Sequence, residues 1–179
     1  MLKAIVIILI LGIAGFLGVV AMQPSEFRIT RSATIVAPAS AVFSQVNDFH
    51  KWESWSPWAK RDPQMKQTYE GAPTGVGAVS AWSGNSEVGK GRMTITESRA
   101  DESIRIKLDF LEPFTVTNVA EFEFKAEGAQ TRVSWSMSGT NNFMAKAVGL
   151  FMNMDKMIGG DFEQGLVNLK ALTEAAAPK

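Results

Sequence analysis

Residues 120–138 read AEFEFKAEGAQTRVSWSMS. Ala120, Phe122 and Phe124 alternate with Glu121, Glu123 and Lys125. After Glu127-Gly128-Ala129 the alternation resumes, with Val133, Trp135 and Met137 set against Arg132, Ser134, Ser136 and Ser138. Successive side chains of a strand point to opposite faces, so each arm has one apolar and one polar face. Glycine between the arms supplies the positive φ of a tight turn. The stretch therefore predicts an antiparallel hairpin wetted on one side and covered on the other.

The same pattern extends outward. Ile104, Ile106, Leu108 and Phe110 alternate with Arg105, Lys107 and Asp109. Strands are expected at 27–36, 64–70, 77–83, 87–98, 103–110, 114–126 and 131–140, with Ser83-Gly84-Asn85-Ser86 as a second glycine turn. The first strand places Phe27, Ile29, Arg31, Ala33 and Ile35 on one side. Behind it, Pro38-Ala39-Ser40 opens a helix in which Val42, Phe43, Val46 and Phe49 fall at helical spacing. Trp52, Trp55 and Trp58 follow, three residues apart. A cover for the dry face comes last. From Phe143 to Glu174 apolar residues recur every three or four positions (Ala147, Leu150, Phe151, Met154, Ile158, Phe162, Leu166, Leu169, Leu172), which predicts one long amphipathic helix across a curved sheet. The fold class is α+β.

The amino-terminal segment is of another kind. Ala4 to Met22 carries no charge. As a helix its nineteen residues span about 28 Å at ~1.5 Å each, close to the ~30 Å hydrocarbon core of a bilayer. It has no polar stripe, which a helix on a soluble core would show. Gly12, Gly15 and Gly18 are tolerated in lipid and leave room for a second helix. The expectation is a retained transmembrane anchor over 1–23, a linker over 24–26, a domain over 27–174 and a tail over 175–179. A cleaved signal segment ending near Val19-Val20-Ala21 is the alternative, although the apolar run is long for one. Lys3 and the amino terminus nearly balance Arg28 and Arg31, so charge hardly orients the span. The short leading tail favours an inner-membrane single-pass topology with the domain on the outer, periplasmic side.

Composition excludes several functions. The 179 residues hold 18 basic and 18 acidic side chains, and setting Lys3 aside leaves 17 against 18. Such a body lacks the excess positive charge of a general nucleic-acid binder. There is no cysteine, so disulfides, thiol chemistry and cysteine–metal sites are out, and the lone His50 excludes a multi-histidine metal centre. No cofactor is implied. No nucleophile elbow, phosphate loop or paired-histidine zinc motif appears. Nothing in the sequence fixes the oligomeric state.

The segments Pro38…Val42-Phe43…Val46…Asp48-Phe49…Trp52…Trp55-Ser56-Pro57-Trp58, Gly89-Lys90-Gly91-Arg92-Met93-Thr94-Ile95, Phe110-Leu111-Glu112-Pro113-Phe114, Thr131 to Met137 and Phe151 to Gly159 together resemble the SRPBCC (START-like) superfamily in its polyketide cyclase/dehydrase branch. The resemblance covers roughly Phe27 to Glu174. It implies a helix-grip fold, in which about seven antiparallel strands wrap a long C-terminal helix and two short helices follow strand 1. It also implies a cavity between sheet and helix for an apolar small molecule or lipid. On that basis the expected ligand-pocket residues are Trp82, Met93, Ile95, Phe110, Phe114, Val116, Asn118, Trp135, Met137, Met154, Met157, Ile158 and Phe162. Fold membership does not assign chemistry.

Individual features carry two readings each. Met144, Met152, Met154 and Met157 form either a deformable pocket wall or ordinary core filling. Gly159-Gly160, costing ~1 kcal/mol per glycine within a helix, marks either a close approach to the sheet or a break with Asp161 capping a second helix. The Trp52, Trp55 and Trp58 trio is expected in the core, the alternative being a belt facing the membrane. Asn118, polar on an apolar face, either orients a ligand or bonds backbone at a bulge. His50 is expected in an exposed loop, and Glu97, Asp101 and Glu102 in a solvated turn. The leading functional expectation is a membrane-anchored binder of an apolar small molecule or lipid, with membrane contact through residues 4–22. The alternatives are a cyclase or hydrolase using the same cavity, and an envelope-stress or assembly protein acting through its surface. No catalytic residue is assigned.

Overall fold

The computed structural model describes residues 2–176. Helix α1 runs Leu2–Met22, and three residues lead to strand β1, Glu26–Ile35. Helix α2 (Ala39–Val46) and two 3-10 segments (Phe49–Ser54, Pro57–Lys60) follow. Then come β2 (Lys66–Gly71), β3 (Ala78–Ser83), β4 (Lys90–Arg99), β5 (Ser103–Glu112), β6 (Val116–Glu127) and β7 (Gln130–Thr140). Helices α3 (Phe143–Gly149) and α4 (Met154–Ala176) end the described chain. The seven strands form one antiparallel sheet in the order β1-β7-β6-β5-β4-β3-β2. This is the expected architecture: a sheet whose dry face is gripped by a C-terminal helix, with short helices after strand 1.

The register sorts the inner face into cross-strand rows. Trp82, Gly91, Phe110 and Val116 form the first row. Met93, Leu108 and Asn118 form the second, and Ile95, Ile106, Ala120, Met137 and Ile29 the third. Ile104, Phe122, Trp135 and Arg31 form the fourth. From the third row onward the apolar residues are buried beneath α2, the 3-10 segments and α4. Trp135 is the centre of that core. It stacks on Phe122 with centroids 4.7 Å apart and on Phe162 of α4 at 4.2 Å. Trp52, Trp55 and Trp58 meet it edge-on at 6.2, 5.7 and 5.8 Å, so the trio packs inward. Gly165 makes the approach possible, since a Cβ there would lie 2.7 Å from the Trp135 ring and 3.2 Å from Pro57.

Several local expectations are corrected. The last helix is not continuous: α3 ends at Gly149 and α4 begins at Met154. Each has its own asparagine cap. The Asn142 side chain accepts from the Ala145 amide at 2.8 Å, and that of Asn153 from the Lys156 amide at 2.9 Å. The break therefore lies six residues before Gly159-Gly160, both of which sit inside α4. Asp161 does not cap a helix; it pairs with Arg61. In the β3–β4 connection the left-handed residue is Gly89 (φ 62°), not Gly84, whereas Gly128 (φ 66°) is where the hairpin needs it. Helix α4 extends to Ala176, past the start expected for the tail, and 177–179 lie outside the described residues. His50 is exposed, but it stacks on Tyr69 at 4.0 Å and its Nδ1 lies 3.0 Å from Asp48 Oδ1. Burial, with help from Glu53 and Asp48, raises the Tyr69 hydroxyl above its ordinary pKa.

Candidate functional site

A groove of about 590 Å³ lies between the first half of β1, α3, the α3–α4 turn and the first turns of α4. That volume falls within the ~300–1,000 Å³ typical of small-molecule sites. Its floor includes Phe27 and Ile29, and Met154 and Ile158 lie on the α4 side. Part of its wall is the turn over residues 150–153, where the chain leaves α3 and restarts as α4 under the Asn153 cap. The first two rows of the sheet also stay partly open. Trp82, Met93, Leu108, Phe110 and Val116 are all half-buried.

Asn118 sits beside this open end and is buried, with 6% exposure. Its Nδ2 reaches only the Met137 sulfur, at 3.9 Å. Its Oδ1 has no protein partner. Asn118 does not bond neighbouring backbone, contrary to one of the two sequence readings. The oxygen points toward Gly139, where any Cβ would collide with it, and the Phe27 ring lies next to the same spot. A buried acceptor without a partner costs about 1–3 kcal/mol. Among the described residues only Trp135 Nε1 shares that condition. By contrast, the Trp52, Trp55 and Trp82 indoles donate to the carbonyls of Val46, Gln45 and Val88.

The start of α4 is held by one inward-facing cation. Arg31 leaves β1 toward the helix and donates from Nε to Glu163 at 2.6 Å. Its Nη atoms donate to the Asp155 carboxylate at 3.0 and 3.2 Å and to the Asp155 carbonyl at 3.1 Å. These bonds raise the arginine pKa further and hold the Asp155 carboxyl below the ordinary carboxylate value. Gly159 is buried directly against the guanidinium, and a Cβ there would collide with Arg31. The close-approach reading of the glycine pair thus holds for Gly159. Sequence periodicity places Arg31 on the apolar side of β1; its meaning needs Asp155 and Glu163, more than a hundred residues away, to be brought opposite.

The expected pocket residues separate into four groups. Met154 and Ile158 line the groove. Trp82, Met93, Phe110, Val116, Asn118 and Met137 belong to the first three rows of the inner sheet, on or next to the open end. Ile95, Trp135 and Phe162 are packed core with 1–2% exposure, and the stacked rings leave no room between sheet and α4 at that level. Phe114 lies in the β5–β6 loop and is 71% exposed; Met157 is 48% exposed. Phe27, Ile29, Leu150 and Asn153 are groove residues that sequence reasoning missed. Asn153 was the available signal, as a cap residue inside an otherwise helical period. Among the described residues, no group of three or more His, Asp or Glu is placed to hold a metal.

Solved structures share the fold at low identity. Protein CV1439 from Chromobacterium violaceum superposes with a TM-score of 0.60 at 16% identity, over 88% of this chain and 100% of that one. The di-domain ARO/CYC StfQ of the steffimycin biosynthetic pathway gives 0.62 at 10% identity, over 85% of this chain and 52% of that one. The Aha1 dimer from Colwellia psychrerythraea gives 0.55 at 14%, over 83% and 96%. No curated protein matches the chain. The family model described as polyketide cyclase / dehydrase and lipid transport matches residues 26–174, from the first residue of β1 almost to the end of α4. The gripped helix, the half-open sheet and this match agree, and the chain belongs to the polyketide cyclase / dehydrase and lipid transport family.

Proposed function

We propose that the protein is a membrane-anchored binding module that holds an apolar small molecule or lipid at the open end of its sheet. Residues 1–23 serve as anchor, 24–26 as linker and 27–174 as the binding domain. The observation carrying this reading is the groove floored by Phe27, whose ring lies next to the buried, unpartnered oxygen of Asn118. Apolar contact supplies most of the affinity, at ~25 cal/mol per Å² buried. A ligand hydroxyl or N–H donating to Asn118 Oδ1 supplies orientation. Helix α1 supports the anchor: its 21 residues are long and apolar enough to cross a bilayer, and only Val20 among them is buried by the domain. In this reading the domain faces the outer side of the inner membrane.

Native mass spectrometry of the detergent-extracted protein tests the binding. An adduct of discrete mass that disappears in Asn118→Ala supports it. Tryptophan emission gives a second readout, because Trp82 is half-buried at the open end. No adduct, together with no emission change from fatty-acid, phospholipid or aromatic probes, defeats the binding proposal. Protease digestion of intact spheroplasts tests the topology, and protection of the domain would refute an outer location.

A further inference from the structure

The end of the domain where α1 enters carries apolar side chains that stay exposed. β1 begins at Glu26, opposite Thr140 at the end of β7. The β5–β6 loop is at the same end, because β6 starts beside the end of β7 (Val119 opposite Ser138). Phe114 in that loop is 71% exposed. Helix α3, which follows β7 directly, has no buried residue at all. Phe143, Met144 and Val148 of α3 are exposed, as are Phe151 and Met152 in the turn after it. Most apolar residues on a soluble surface are scattered singly; a contiguous group at one end marks an interaction site.

The chain itself identifies the occupant. Only Gln23, Pro24 and Ser25 separate α1 from β1, and three residues reach at most about 11 Å at ~3.6 Å each. Phe151 also stacks against Phe16 of α1, with centroids 6.4 Å apart. Phe16 lies six residues inside the helix end, about 9 Å along its axis at ~1.5 Å per residue. If α1 spans the bilayer, Phe151 is already below the level at which the helix emerges. Such a depth suits an interfacial element, whose apolar side sinks ~5–10 Å into the headgroup–acyl boundary.

We infer that α3, the α3–α4 turn and the tip of the β5–β6 loop are embedded in the same leaflet from which α1 emerges, so that the groove opens into the acyl region and takes a membrane lipid laterally. This rests on the anchor reading above. The groove is lined in part by Ala145, Lys146 and Gly149 of α3 and by Phe151 and Met152, residues of the embedded end. Lipid then enters without crossing water.

The absence of cysteine makes the test direct, because each introduced thiol is unique. Full-length Met144→Cys, Phe151→Cys, Phe114→Cys and Ala129→Cys are labelled with an environment-sensitive fluorophore and reconstituted in phosphatidylcholine–phosphatidylglycerol liposomes. Ala129 lies in the β6–β7 turn, at the opposite end of the sheet. The expected result is blue-shifted emission at 144, 151 and 114 that is lost when brominated lipid is present, with Ala129→Cys unaffected. If the protein stays with the liposomes through alkaline carbonate but the labels at 144, 151 and 114 match the one at 129, the inference fails and the anchor stands. Energy transfer between copies without lipid quenching would assign the surface to a second copy and overturn the inference. Release by carbonate would overturn both.

Discussion

Replacing Asn118 by leucine separates the cost of the orphaned amide from its use. Leucine has the same branching and the same number of side-chain heavy atoms, so it occupies the site with a small increase in bulk. The change removes a buried oxygen that has no protein partner and gives up only a long contact to the Met137 sulfur. Relief of the unpaired acceptor contributes about 1–3 kcal/mol. Crowding against Gly139 and Phe27 offsets part of this, since overpacking itself costs ~1–3 kcal/mol where neighbours cannot shift. Met137, unbranched and flexible, is the neighbour able to give way. The expected net gain is about 1 kcal/mol, or roughly 2–4 °C in Tm for a domain of this size. The assay is thermal unfolding of delipidated protein by near-ultraviolet circular dichroism, with binding of a hydroxylated aromatic probe measured in parallel. Asn118→Leu should be more stable and bind more weakly. Asn118→Val, with less bulk, controls for crowding. If both variants lower Tm and leave probe binding unchanged, the amide is a structural group and not a ligand-facing acceptor.

Phe162→Ala removes the ring stacked on Trp135 and should lose about 3–5 kcal/mol, readable as a fall in the midpoint of denaturant unfolding. The two adjacent glycines of α4 should respond in opposite directions. A Cβ at Gly160 would meet nothing within 4 Å, so Gly160→Ala should stabilise by ~1 kcal/mol through helix propensity. Gly159→Ala forces Arg31 out of its bonds and should speed amide exchange across residues 155–160, and equal protection in both variants would refute the clamp. The Asp155 carboxyl is depressed in the folded state by Arg31. Its contribution is therefore complete above its ordinary value near 3.8 and is lost as pH falls through the lower folded value. Amide protection at the start of α4, relative to intrinsic exchange, should fall in that acid range, and Arg31→Met should remove that pH-dependent loss of protection.

Strand periodicity carries far in this chain because one face is wet and the other dry. Glu121, Glu123 and Lys125 could face only solvent, which fixes Phe122 and Phe124 inward and, through pairing, the rest of the sheet. Helical periodicity misleads at residues 150–153. Leu150 and Phe151 continue the apolar repeat although the chain leaves the helix there, because a mean pattern over thirty residues does not register the capping Asn153. The candidate site is less legible for a related reason. Inward residues look alike in sequence whether they are sealed, as Trp135 is by Phe162, or left half-open, as Phe110 is. Which condition applies depends on where α4 begins. Arg31 shows the same limit: a cation at an inward position has no meaning until its distant carboxylates are placed.

On the anchor reading proposed above, the position of β1 gives the tether a mechanical property. The strand next to α1 is paired along ten residues with β7, from Glu26 opposite Thr140 to Ile35 opposite Thr131. Antiparallel ladder bonds run perpendicular to the strands. A pull transmitted through α1 along β1 would therefore load the whole ladder in shear rather than open it one bond at a time, and Arg31 ties the same strand to α4. In that reading, a load on the anchor directed along β1 is shared by the whole ladder.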